Sequence, residues 1–149
     1  MKNKKHTILI AGASGVVGMA ATEYFASLSD WQVMALSRRP VPLPKGVVHV
    51  PLDLCDLKAC ESAAANLTGV THILFAALYE LPELVAGWRD PKQMEVNDAM
   101  LRNLLDALTP KAKSLRHITI MQGTKAYGGH VEPAPVPAKE RWPRHWHEN

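Results

Sequence analysis

The apolar run Ile8-Leu9-Ile10-Ala11 leads directly into Gly12-Ala13-Ser14-Gly15-Val16-Val17-Gly18. This junction constrains the fold more than any other stretch. A buried strand must end, the chain must turn sharply and a helix must begin. Glycines let the backbone turn tightly and approach a pyrophosphate closely. The helix start then offers free N–H groups and a positive dipole end to the phosphates. The spacing is G-x-x-G-x-x-G rather than G-x-G-x-x-G. The bland reading of the same residues is a plain strand-to-helix turn. The position at the start of the chain, where a nucleotide-binding βαβ unit begins, favours the phosphate reading.

Strand and helix patterns alternate along the rest of the chain. Strands are predicted at Thr7 to Ala11, Gln32 to Ser37, Val47 to Pro51, Thr71 to Leu78 and His117 to Met121. A helix is predicted from Gly15 to Leu28, with Val17, Ala20, Ala21, Tyr24, Phe25 and Leu28 on its apolar face. Asp56 can cap a second helix running to about Asn66, with Cys55 and Cys60 placed on it. Asp90-Pro91 starts a third, running to Leu108, with Met94, Asn97, Leu101, Leu104 and Leu108 on one face. Pro40 to Gly46, rich in proline, is a loop. Strands separated by helices imply an α/β fold: a doubly wound parallel sheet of about five strands in the order 3-2-1-4-5, of the Rossmann type. Residues 1–130 form the expected nucleotide-binding domain. Residues 131–149 form an irregular tail rich in Pro, Trp and His.

Composition narrows the function classes. The 149 residues are one domain's worth, with 47% apolar and 21% charged residues. The formal charge of +3 is mild, Lys2, Lys4 and Lys5 lie in a terminal tail, and no basic stripe with interleaved aromatics follows. Nucleic-acid binding is therefore not expected. No run approaches the ~20 apolar residues of a membrane span, and the short run before Gly12 does not make a signal peptide. A cytoplasmic protein is the expectation. Cys55 and Cys60 lack metal or redox spacing and read as small packing residues. His145-Trp146-His147-Glu148 is weak evidence for a metal, and none is expected.

Candidate site residues gather after the strands, where open α/β sheets place ligands. Ser37 ends the second strand and Arg38 and Arg39 follow it, where a dinucleotide fold keeps an acid for a ribose 2′-OH. Two guanidinium groups in that place suit a 2′-phosphate, so NADP(H) is favoured over NAD. A solvated basic turn is the alternative. Asp53-Leu54 follows the third strand and suits the edge and face of adenine; Asp53 equally suits a turn. Ala76, Ala77 and Leu78 end the fourth strand, where small residues permit close approach of a cofactor and also make ordinary core. Asn97, on an apolar stripe, needs partners and is expected to bridge backbone groups through water. Gln122 and Gly123, after the fifth strand, are cofactor-binding candidates, followed by Lys125. Lys125 suits a nicotinamide ribose and can lower the pKa of a neighbouring phenol. Tyr127 reads as packing.

These residues resemble a known family. Gly12 to Gly18, Arg38-Arg39-Pro40, Asp53, the stretch Val96 to Leu105 and Gly123-Thr124-Lys125-Ala126-Tyr127-Gly128 look like the extended short-chain dehydrogenase/reductase superfamily. The last segment is similar to the progesterone 5β-reductase/iridoid synthase-like branch, whose Thr-Gly-x-Lys-His-Tyr-x-Gly pattern carries the active-site lysine. That pattern maps the lysine onto Lys125, with Gln122 and Ala126 at its Thr and His positions. Sugar-nucleotide epimerases and dehydratases, the next relatives, usually carry a Ser or Thr where this chain has Gly123, a departure that argues against them.

The resemblance implies reduction of a carbonyl or enone-type substrate by NADP(H), with a catalytic tyrosine beyond Asn149. No YxxxK occurs, because Met121 stands four residues before Lys125. The chain is thus expected to be the cofactor-binding part of a longer reductase, with the C-terminal part of the family fold missing. Its substrate is an unidentified small molecule. The alternatives are a catalytically silent NADP-binding regulator and a fragment of an epimerase or dehydratase. Trp142 and Trp146 are expected to be exposed or to form a contact in a homo-oligomer.

Overall fold

The computed structural model describes residues 5–82, 90–129, 132–133 and 136–145, with backbone alone at Thr124 and Lys125. Lys2, Lys4, Trp146, His147 and Glu148 lie outside the described residues.

Side chains alternate across a strand, and here both faces are buried. In β1 (His6–Ala11) Ile8 and Ile10 face one core, while Leu9 and Ala11 face the other. β2 (Trp31–Ser37) repeats the pattern, with Val33 and Ala35 opposed to Leu36. β3 (Val48–Pro51), β4 (His72–Phe75) and β5 (His117–Ile120) complete one parallel sheet in the order β3-β2-β1-β4-β5. Ile8 pairs with Val33 on one side and His72 on the other. This is the topology expected from the alternating pattern.

Helices cover both faces. α1 (Val16–Ser27) and the residues Leu43 and Val47 cover the Ile8/Ile10 side. α2 (Leu57–Ala64) and α3 (Pro91–Leu108) cover the other, with Cys60, Ala64, Leu104 and Leu108 against Leu9, Ile73 and Phe75. Each fully buried Leu or Ile there contributes about 1.5–3 kcal/mol. Asp56 caps α2 by accepting from the Ala59 amide, and Asp90 caps α3 ahead of Pro91.

Three local expectations change. The buried face of α1 is Gly18 and Thr22, with Ala21, Phe25 and Ala26 half-buried, whereas Val17, Ala20 and Tyr24 are exposed. Backbone contact at Gly18 draws the helix round, and the Thr22 hydroxyl donates to the Gly18 carbonyl at 2.8 Å, so neither inward residue carries an apolar signal. On α3 Gln93 is buried and Met94 exposed, because the Gln93 side-chain carbonyl accepts from the Leu81 amide. β4 stops at Phe75, since β1 turns away after Ala11; the Ala76 amide makes the last bond, to the Ala11 carbonyl.

Candidate functional site

The glycine turn packs backbone on backbone. Gly12 has φ +86°, and a Cβ there would lie 2.6 Å from the Ala77 nitrogen. A Cβ at Gly18 would collide with the Gly12 carbonyl oxygen. That carbonyl accepts from the Gly15 amide at 3.0 Å. Gly15 is the N-cap of α1 and supplies no side-chain cap. The first-turn N–H groups of α1 therefore have no capping acceptor and open beside a groove.

This groove, of about 470 Å³, runs along the C-terminal ends of the strands. Gly12, Ser14, Gly15, Val16 and Val17 form its floor at the turn. Ser37 and Arg38 line it after β2, and Asp53 and Leu54 after β3. Ala76, Ala77 and Leu78 line it after β4. Of the candidates around the glycine turn and the end of β2, three stand elsewhere. Ala13 is fully buried in the α1-side core, Gly18 packs behind the turn, and Arg39 is exposed outside the groove lining. Leu36, Leu52, Cys55, Tyr79, Glu80 and Met100 also line the groove and are not among the site residues that the sequence predicts. Tyr79 and Glu80 follow Leu78 directly, so the strand-end rule that found Ala76 to Leu78 could have reached them. Cys55 precedes α2 rather than lying on it.

The walls of the groove are held by side-chain bonds. Asn97 grips the backbone of Tyr79: its Oδ1 accepts from the Tyr79 amide and its Nδ2 donates to the Tyr79 carbonyl, both at 2.8 Å. These bonds are direct and need no bridging water. Asn103 Nδ2 donates to the Leu54 carbonyl at 2.8 Å. Asp53 Oδ1 accepts from the Cys55 amide at 3.0 Å, so Asp53 makes the turn and also lines the groove. The Ser37 hydroxyl lies 2.7 Å from the Arg39 carbonyl and 3.0 Å from His49 Nε2. Burial, then the Asp53 charge, pushes the Cys55 thiol up; burial followed by Asp56 and Asp53 pushes Cys60 up to about 11.

The groove meets a second cavity, of about 590 Å³, at Ala77 and Leu78. Gln122 and Gly123 line this second cavity rather than the first, opposite Asn97 on α3. The backbone of Lys125 lies in the short 3-10 helix Thr124–Tyr127 next to it; its side chain is outside those described. Described residues of the tail pack against this segment. The His145 amide donates to the Ala126 carbonyl, and the His145 ring pairs with Glu132 at 3.2 Å. Trp142 is half-buried against Tyr127, with ring centroids 6.5 Å apart, and so is not left exposed. Among the described residues no group of three or more His, Cys, Asp or Glu is placed to hold a metal, and no helix is long and apolar enough to cross a membrane.

A glycine-floored groove with an uncapped helix start, an arginine and an apolar wall fits a dinucleotide. Residues 8–143 match the NAD dependent epimerase/dehydratase family. The chain belongs to that family. Among curated relatives, it is 34% identical over 133 residues to an (S)-8-oxocitronellyl enol synthase of Camptotheca acuminata, covering 84% of this chain and 31% of that one. It is 33% identical over 129 residues to the 3-oxo-Delta(4,5)-steroid 5-beta-reductase of Arabidopsis thaliana, covering 81% and 31%. These relatives place it with the extended short-chain dehydrogenases/reductases. The chain spans about a third of the length of those relatives. Its fold is shared with the Bordetella bronchiseptica enzyme WbmG in complex with NAD, at a TM-score of 0.71 and 20% identity over 97% of this chain and 46% of that one. A Burkholderia cenocepacia short chain dehydrogenase in complex with NADP matches at a TM-score of 0.69 and 22% identity, over 85% and 56%.

Proposed function

We propose that this chain is the NADP(H)-binding portion of a short-chain dehydrogenase/reductase-type oxidoreductase that reduces a carbonyl or enone-type substrate. The observation that carries the cofactor reading is Arg38, which lines the groove just past β2, where an acid would favour the 2′-OH of NAD. The uncapped first turn of α1 receives the pyrophosphate, and Gly12 and Gly15 let it approach closely. Leu54 offers an apolar wall to adenine, with Asp53 at its edge. Ala76, Ala77 and Leu78 border the path from the groove to the second cavity, where the nicotinamide ring would lie beside Gln122 and Gly123. The bound cofactor supplies a hydride. Lys125, on the 3-10 helix, is the residue proposed to bind the nicotinamide ribose and to favour an ionised phenol beside it.

The substrate class draws support from the named relatives. A 3-oxo-Delta(4,5)-steroid carries a carbonyl conjugated to a double bond, and an 8-oxocitronellyl compound carries an oxo group. Titration by nicotinamide fluorescence tests the cofactor reading. NADPH should bind about tenfold or more tightly than NADH, because a 2′-phosphate gains charge-assisted bonds to a guanidinium. Arg38→Ala should erase most of that preference, and Arg39→Ala less of it. Equal affinities in the unaltered protein, or a preference that survives both substitutions together, would refute the reading.

A further inference from the structure

His49 is the one polar side chain of β3, whose sequence is Val-His-Val-Pro. It sits on an edge strand, half-buried, and its Nε2 lies 3.0 Å from the Ser37 hydroxyl on the neighbouring strand. The register makes this contact natural. Ala35 pairs with His49 and Ser37 with Pro51, so His49 reaches diagonally to a side chain on its own face of the sheet.

The hydrogen-bond inventory then assigns the protons. Ser37 is 4% exposed and has one hydroxyl hydrogen. The Arg39 carbonyl, 2.7 Å away, can only accept, so the Ser37 hydroxyl donates to it. His49 must accordingly donate its Nε2–H to a lone pair of the Ser37 hydroxyl. Ser37 thus becomes a strut rather than a ligand. Its hydroxyl holds the carbonyl of Arg39, and His49 holds the hydroxyl. The backbone fixed by this relay is the turn that carries Arg38, a residue of the groove lining.

We propose that His49 is a positioning residue for 2′-phosphate recognition, acting through Ser37 on the Arg38–Arg39 turn. The proposal rests on the NADP(H) reading above. A turn held in its binding geometry loses less freedom when the phosphate arrives. Loss of the relay therefore weakens the cofactor that carries a 2′-phosphate and leaves its unphosphorylated counterpart nearly unaffected. A merely structural histidine would affect both alike.

The test titrates NADPH and NADH against the whole chain and its His49→Leu, His49→Gln and Ser37→Ala variants. His49→Leu should weaken NADPH about fivefold while NADH changes less than about twofold, the scale of one hydrogen bond lost. His49→Gln, whose amide can still donate to Ser37, should restore most of the NADPH affinity. Adding Ser37→Ala to His49→Leu should weaken NADPH no further than Ser37→Ala alone, since both cut one relay. Should His49→Leu fail to fold, the smaller Ser37→Ala change carries the same comparison. An unchanged NADPH-to-NADH ratio in His49→Leu and Ser37→Ala, or equal loss for both cofactors, overturns the proposal. An unaltered protein without any preference for NADPH fails the underlying reading instead, and the proposal with it.

Discussion

Asn103 and Leu54 are 49 positions apart in the chain, yet the asparagine amide donates to the leucine carbonyl at 2.8 Å. Six residues earlier on α3, Asn97 holds both the amide and the carbonyl of Tyr79. One helix therefore fixes two loops that line the groove, one after β3 and one after β4. Asn97 also donates to the Gln93 carbonyl at 2.8 Å, which orients its amide. Asn97→Ala leaves the Tyr79 amide and carbonyl without their partners, in a half-buried place. The expected loss is about 2–3 kcal/mol, against about 1 kcal/mol for Asn103→Ala, which removes one bond. Urea unfolding ranks the two; an Asn97→Ala protein as stable as the parent would show that the Tyr79 clamp contributes nothing.

The glycines separate close approach from backbone handedness. Gly18→Ala puts a Cβ into the Gly12 carbonyl, and Gly12→Ala adds a left-handed φ to a clash with the Ala77 backbone. Each should lose about 3 kcal/mol or more, because backbone cannot move aside cheaply. Gly46 also has a positive φ, of +87°, but nothing lies within 4 Å of its Cβ position. Gly46→Ala should lose only about 1–2 kcal/mol, the penalty for an L-residue in that conformation. Denaturation midpoints for the three variants check the order; a Gly46→Ala loss matching Gly18→Ala would mean that handedness, not contact, dominates.

Local signals carried most of the fold. The alternation of Ile8 to Ala11, the glycine turn and the Asp90-Pro91 cap each announce their structure within a few residues, and the strand order follows from parallel crossovers. The inward face of α1 was not legible, because Gly18 and Thr22 are buried for backbone contact and a hydrogen bond rather than for apolarity. Of the candidate residues, those just after β2, β3 and β4 line the groove, with Arg39 the exception, whereas Gln122 and Gly123 after β5 line the second cavity. Ala13 does not line the groove, since it is buried in the core with Ile8 and Ile10. His49 and Asn103 act across strand register or helix packing, where a single sequence holds no trace of the partner.

Acid should weaken the fold through His72. Its imidazole lies on β4 between His6 on β1 and His117 on β5, with ring centroids 5.5 and 6.4 Å away, and tilts against Trp31 at 4.8 Å. Burial, then the charges of His6, His117 and Arg116, holds its pKa below the ordinary 6.5. The unfolded chain therefore binds the proton first. The stability that neutral His72 contributes is complete above about pH 6.5 and is lost as pH falls from there through the lowered folded value. Chemical denaturation between pH 7.5 and pH 5 should show this loss, and His72→Gln should flatten the pH dependence. A His72→Gln protein with the parent's slope would assign the acid sensitivity elsewhere.

The two thiols report on the groove and on the core separately. Cys55 is exposed and lines the groove beside Asp53, whereas Cys60 is buried on α2 with its sulfur 3.9 Å from the Asp53 carbonyl. Both are raised above the usual thiol range, Cys60 to about 11, so few thiolates exist near neutrality. Alkylation at pH 7.5 should be slow at Cys55 and should reach Cys60 only on unfolding. Raising the pH should speed Cys55 alone, since access rather than ionisation limits Cys60. Saturating NADPH should slow Cys55 further, because a dinucleotide in the groove covers it, and Cys60 should not respond. Mass spectrometry of the labelled peptides separates the two sites. Equal labelling of both in the folded protein would contradict the packing of α2, and a Cys55 rate unmoved by saturating NADPH would place the cofactor away from the Asp53 wall.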